Sequence, residues 1–440
     1  MAKPYTSASE YLRDRMALLS LQLHREVLLT RAVRGNERQE SFLGLFISDQ
    51  DVDAVLAELH GGVSRDFPGG DTLLSRIEAL QNAMLVRLSL GGVTLPHQQL
   101  AAIFALQRHE LDLLLLTLAP EVDNRFARVF GFLHDDVSRK RVSAGLAHQL
   151  LGGGDALAFQ LRQSLHPDAP LLRFRLLQLL DDDSQTLLAR GLKLDNRVAS
   201  FLLGIDQRDE ELVEVMARPW TTSVTLVDDI CTYSTQRTYD HWQAQPSPLV
   251  LEQSGGADVD VWLMLFCAQA GQGLLHVDWP RLAALDAMQA ARILRKAIRE
   301  AHLGSSLLHV RQVDERQPRL YALLMSLATP LTCLSSTQPL SLQEMSLPPL
   351  HVRVPPLSPD NRLALWQGAM PETVTVDPAL LQTCANRYPI GARAIEHVCR
   401  NLGRHYGHEV GHREMKPSGA AERDDFPAAL RRACRQLVGE

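Results

Sequence analysis

The spacing of apolar positions divides the chain into a front part of helical patterns and a back part in which short apolar runs alternate with helical ones. In RMALLSLQLHREVLLTRAV at 15–33, Leu18, Leu21, Val27, Leu28 and Leu29 fall near one helical face. Ser48 is placed to cap a helix through DQDVDAVLAEL, and GGVSRDFPGG at 61–70 reads as a loop. Helices are expected around 71–90 and 96–118, and EVDNRFARVFGFLHDD opens another. From 171 the pattern changes: LLRFRLLQLL is helical in spacing, DDDSQ turns the chain, TLLARGLKL reads as two short strands around Gly191, and Asp195 caps NRVASFLLG. Residues 205–246 are looser in composition and read as a connection into a separate domain.

Helix, small ribbon and helix in that order predict a winged-helix module. From 247 onward, strand candidates PLVLE (248–252), LLHV (274–277), LLHV (307–310), LTCLSS (331–336) and LHVRV (350–354) alternate with helices near 259–270, 285–302 and 318–328. Such alternation predicts a parallel sheet with helices on its faces. After 360 only helices are expected, near 361–369, 378–386 and 391–405. The expected fold is therefore α/β with a mainly α N-terminal part: a helical region at 1–150, a winged-helix-like module at 151–215, a five-stranded parallel α/β module at 216–360, and a helical lid and tail at 361–440.

Composition narrows the class without naming a function. At 440 residues the chain is long enough for two or three domains, and 45% hydrophobic with 22% charged residues fits a globular protein. A net charge of -6 gives no general attraction to nucleic acid or anionic membrane. The N-terminus has no apolar core of a signal peptide, and the richest apolar run, LDLLLLTLAP at 111–120, is too short to span a bilayer, so a cytoplasmic location is expected. Six scattered cysteines without a CxxC pair read as reduced, buried thiols.

Five strands followed by a helical lid is the AAA+ order, and the sequence resembles a bacterial AAA+ family with an N-terminal winged-helix region. The matching segments are FLGLFISDQDVDAVL at 42–56, HELDLLLLTLAPEVDNRFARVFGFLHDDVSRKR at 109–141 and LLRFRLLQLLDDDSQ at 171–185. The resemblance implies an N-terminal region, a degenerate first ATPase module and an active second one; some members of that family accompany phage-tail-like contractile injection systems. It also implies protein partners, through self-association or an AAA+ ring.

A working phosphate loop follows its first strand with GxxxxGK[ST], because backbone N–H groups wrap the phosphates, lysine neutralises them and the hydroxyl holds magnesium. In that frame Gln253 and Asp258 replace the glycines, Val259 the lysine and Asp260 the hydroxyl. Asp258 and Asp260 put negative charge where a triphosphate would sit, although an ordinary strand-to-helix turn with Asp near a helix N-terminus accounts for them equally well. The magnesium and water-activating acids should close the third strand, where Arg311 and Gln312 stand instead, with Asp314 and Glu315 displaced beyond it. The polar residue ending the fourth strand falls at Gln338 or Thr337, and Gly391, Ala392 and Arg393 form the lid's glycine–arginine element. No catalytic or cofactor-binding residue is therefore expected in this chain, and phosphoryl transfer, which depends on positioning and charge neutralisation, is not. ATP and magnesium are expected only in an active module beyond residue 440.

Two other functions compete. HEVGH at 408–412 has the spacing of a helical zinc motif, with His408 and His412 as ligands and Glu409 as base. Gly407 and Gly411 weaken such a helix and no clear third ligand follows, so the end of a lid helix with exposed histidines is the plainer reading. A winged-helix DNA-binding regulator would use Arg139, Lys140, Arg141, Arg190, Lys193 and Arg197 on phosphates. Asp135, Asp136, Asp181, Asp182, Asp183 and Asp195 interleave with those bases and weaken their field, which favours docking to protein.

Overall fold

The computed structural model describes residues 3–34, 52–53, 56, 70–151, 154–180, 186–217, 229–253, 257–371, 376–406 and 426–438. They fall into two compact units, Met1–Asp209 and Glu210–Glu440.

In the first unit, long helices Ala8–Arg34 and Gly70–Ser89 pack with Pro96–Phe104, Arg108–Val122 and Arg125–His134. The single helix expected at 96–118 is two helices. Ala105 takes a left-handed conformation (φ 51°), ending the first, and the Glu110 carboxylate accepts the Gln107 N–H at 2.8 Å at the start of the second. The 108–122 helix buries almost its whole middle, including Leu113, Leu114, Leu115, Leu116 and Leu118, which explains why its apolar run is continuous and not periodic. The helix expected from Ser48 onward lies almost wholly outside the described residues.

The ribbon differs from its sequence reading. Only the first three residues of LLRFRLLQLL are helical, in the short helix Pro170–Arg173; Arg175 has φ 51°, and Leu177–Leu179 (β1) then runs antiparallel to Leu192–Leu194 (β2), pairing Leu177 with Leu194. Leu187–Ala189, expected to be a strand, is a turn of 3-10 helix. Burial of Leu176, Leu177, Leu192 and Leu194 selects the pairing over the local helical propensity of a leucine-rich segment. The following helix, Asn196–Leu202, is capped by Asp195, whose carboxylate accepts the Arg197 N–H at 3.0 Å.

The second unit is a six-stranded sheet. Strands Met216–Ala217 (β3), Leu249–Gln253 (β4), Gly273–Asp278 (β5), Ser306–Arg311 (β6), Thr332–Ser336 (β7) and Leu350–Val354 (β8) lie in the order β3-β5-β6-β7-β4-β8. Five are parallel, and β3 adds an antiparallel edge. The connection read at 205–246 thus contains β3 and also a helix, Asp229–Ala244. That helix escaped notice because its inner face is not aliphatic: Cys231, Thr235 and Thr238 are buried, and Tyr239 and Trp242 meet Phe266 edge-on.

Helices Pro359–Ala369, Pro378–Arg387, Ala392–Tyr406 and Phe426–Val438 form the lid, around a core that includes Trp366, Cys384, Ile395, Cys399, Leu430 and Cys434. Val261 of the Val259–Ala270 helix belongs to the same core, so the lid and the start of that helix share packing. Buried Arg362 joins lid helices by donating to the carbonyls of Ala385 (2.8 Å) and Leu357. All six cysteines are buried free thiols. Among the described residues, no helix is long and apolar enough to cross a membrane.

Candidate functional site

In an open parallel sheet, ligands collect beyond the carboxyl ends of the strands, where successive connections leave in opposite directions. Here that point lies at β4, which sits between β7 and β8 although β5 follows it in sequence. A cleft of about 250 Å³ opens there. The start of the Val259–Ala270 helix contributes Asp258, Val259 and Asp260; β6 contributes His309 and Arg311, and Gln312 follows it. The end of β7 contributes Ser335, Ser336 and Thr337, and the lid contributes Gly391, Arg393 and Ala394.

Most residues singled out in the sequence therefore meet in one place. Gln253 ends β4, and Asp258, Val259, Asp260, Arg311, Gln312 and Arg393 line the cleft. Gln338 does not line it; its backbone N–H donates to Ser336 Oγ at 3.1 Å while Thr337 faces the cleft. Gln312 holds φ 55°, an unusual conformation for a residue with a side chain, just where β6 ends.

The two aspartates bind the protein itself. Asp258 is 6% exposed; one carboxylate oxygen accepts the Val261 N–H at 3.1 Å and caps the helix, while the other accepts the Ala392 N–H from the lid. Burial pushes its carboxyl above the ordinary range, against the pull of those backbone donors. Asp260 pairs with Arg393, whose Nη2 donates to Oδ1 at 3.3 Å and whose Nε faces Oδ2. A Cβ on Gly391 would stand 2.9 Å from the Asp258 carboxylate, so the lid glycine is there to let the two segments approach. The loop and the lid are thus latched by two carboxylates, at the position a phosphate loop occupies in the expected frame.

Beneath the latch lie two histidines that the sequence reading passed over. His276 of β5 and His309 of β6 are in register, each 1% exposed, with their Nδ1 atoms 3.0 Å apart. His309 Nε2 lies 2.8 Å from Ser335 Oγ. Burial holds His276 down to about 4 and His309 well below its ordinary value, so both rings are neutral. One ring nitrogen of each and a carboxylate oxygen of Asp260 come within 4.8 Å of one another. The signal was present in the sequence: LLHV occurs twice, and two identical runs on adjacent parallel strands bring their histidines side by side.

The HEVGH segment, with His408, Glu409 and His412, lies outside the described residues. Of the bases proposed for DNA, Arg197 has a side chain only 3% exposed and is paired with Asp206 at 3.1 Å. Arg139 donates to the Ala189 carbonyl, Arg141 to Glu121 at 3.3 Å and Arg190 to the Leu180 carbonyl at 3.3 Å. Arg197 is a structural residue of its helix, not a phosphate contact.

The fold and cleft define an α/β module with five parallel strands and a helical lid, preceded by a region that matches a winged-helix model. Residues 1–216 match the family model for a winged helix domain, variant. Among solved structures, the crystal structure of the FIGL-1 AAA domain aligns with 53% of this chain and 90% of its own, at 13% identity and a TM-score of 0.35. No curated protein sequence matches the chain.

Proposed function

We propose that the second unit is a non-hydrolysing AAA+-type module that serves assembly, partner recruitment or regulation. The observation that carries this reading is the carboxylate latch: Asp258 accepts the Ala392 N–H of the lid and Asp260 pairs with Arg393. In a working site, cations and backbone donors converge on phosphate oxygens. Here anionic side chains take the loop positions and use those donors themselves, while Arg311 and Gln312 stand where carboxylates would hold magnesium. Among the described residues, Ala257, Asp258, Val259 and Asp260 at the helix start bring no positive charge to the cleft, and the lid residues Ala392 and Arg393 are engaged by the two carboxylates.

The reading includes several finer expectations from the family resemblance. ATP and magnesium would belong to an active module of a longer protein, the setting would be cytoplasmic, and the partners would be other protein chains, in some cases of a contractile injection system. A lid closed by protein groups makes association independent of nucleotide. Sedimentation velocity of the chain with and without magnesium ATP tests this: the distribution is expected to be unchanged. Assembly that appears only with magnesium ATP would overturn the proposal.

The DNA-binding alternative is disfavoured by the engagement of Arg139, Arg141, Arg190 and Arg197 within their own unit. The zinc hydrolase alternative rests on HEVGH alone, with no described residue to support it.

A further inference from the structure

We propose that Asp260, His276 and His309 form a binding site for a transition-metal dication of the zinc class, with an open coordination position facing the cleft. Four observations converge on it. The two Nδ1 atoms are 3.0 Å apart, and two nitrogens bound at about 2.05 Å to one ion with an angle of 90–110° would be about 2.9–3.4 Å apart. The rings come from neighbouring strands in register, so the backbone ladder fixes their spacing. Ser335 Oγ lies 2.8 Å from His309 Nε2, and as an acceptor from Nε2–H it leaves Nδ1 bare for the ion. Asp260 supplies the anionic oxygen, within 4.8 Å of a nitrogen of each ring.

Without an ion, one imidazole must donate from Nδ1 and the other accept, which uses a single tautomer of each ring. A dication satisfies both nitrogens at once. Two nitrogens and one carboxylate suit zinc, cobalt or nickel better than magnesium or calcium, which prefer all-oxygen shells.

The surrounding charges decide what completes the shell. Arg311 of β6 and Arg393 of the lid face the cleft, and Asp258 is the other anion there. Two guanidiniums beside a dication favour an anion in the open position, such as hydroxide or a small oxyanion. Asp260 is also the partner of Arg393, so the ion and the lid arginine draw on one carboxylate, and metal binding is expected to weaken the Asp260 half of the latch. This inference does not depend on whether the cleft holds nucleotide.

The test uses the full chain carrying His408→Ala and His412→Ala, so that the HEVGH histidines cannot contribute. After chelator treatment it is titrated with Co²⁺, reading visible d–d absorption, and with Zn²⁺ by calorimetry. About one equivalent is expected, with the intense absorption of a four-coordinate site. Asp260→Asn is expected to weaken binding at least tenfold, and Ser335→Ala, a positioning change, by about 10- to 100-fold. His309→Gln should abolish binding; if that core variant does not fold, Asp260→Asn and Ser335→Ala decide. Failure to bind either ion, or binding unchanged in those two variants, would overturn the proposal.

Discussion

Removing the Asp258 carboxylate by Asp258→Ala strips two backbone donors of their acceptor at once. The Val261 N–H loses its helix cap, a loss of about 1 kcal/mol. The Ala392 N–H is left buried at the base of the lid, at a cost of about 1–3 kcal/mol. Only the second loss, about 1–3 kcal/mol, falls on lid opening, because the helix cap is made whether the lid is open or closed. In peptide-resolved hydrogen exchange this should speed exchange around Ala392 and Ile395 by roughly 5- to 150-fold. Exchange in the Arg108–Val122 helix of the other unit should be unchanged. Asp258→Asn should fall between, since the two donors use different carboxylate oxygens and an amide offers only one. If Asp258→Ala changed lid exchange less than threefold, the carboxylate would not be holding the lid and the latch would be wrong.

Other perturbations probe neighbouring parts of the account. Gly391→Ala places a Cβ 2.9 Å from the Asp258 carboxylate and should loosen the same lid amides by about 1–2 kcal/mol, measured by the same exchange. Arg393→Ala breaks a partly exposed pair and should cost less, about 1 kcal/mol, with a salt dependence that vanishes in the variant. His97 is buried and stacked on Tyr11 at 3.9 Å; burial lowers its pKa from 6.5 to about 4. The unfolded chain therefore takes up a proton that the folded unit refuses, so stability falls as pH drops from 6.5 to 4, by up to about 3 kcal/mol, and His97→Phe should flatten that part of a urea-denaturation profile against pH. Arg197→Ala should destabilise the first unit in thermal melts by about 1–3 kcal/mol, because the side chain it removes is buried; an unchanged melt would reopen its role at the surface.

The second unit was the more legible in sequence because its strands are short apolar runs bounded by polar turns, and PLVLE, both LLHV runs, LTCLSS and LHVRV all became parallel strands. The cleft was legible as well, since strand ends and the helix start at 259 define where the chain turns, and Asp258, Asp260, Arg311 and Gln312 follow from that count. What failed was structure decided by tertiary contact. Leu177 pairs with Leu194 across a ribbon whose local pattern is helical, and the Asp229–Ala244 helix buries threonines and aromatics that carry no apolar period. The latch was invisible for a different reason: Asp258 reaches Ala392 across 134 positions of sequence, a separation that no local pattern encodes. His276 and His309 were hidden because each reads alone as one polar residue in a buried strand.

The central claim, that protein carboxylates close this cleft and leave it unable to transfer phosphoryl groups, is tested most directly by steady-state phosphate release. Purified chain with millimolar magnesium ATP is predicted to release phosphate no faster than the buffer blank. Turnover that scales with chain concentration and disappears in Arg311→Ala or Arg393→Ala would contradict the claim and place a working catalytic site in this cleft.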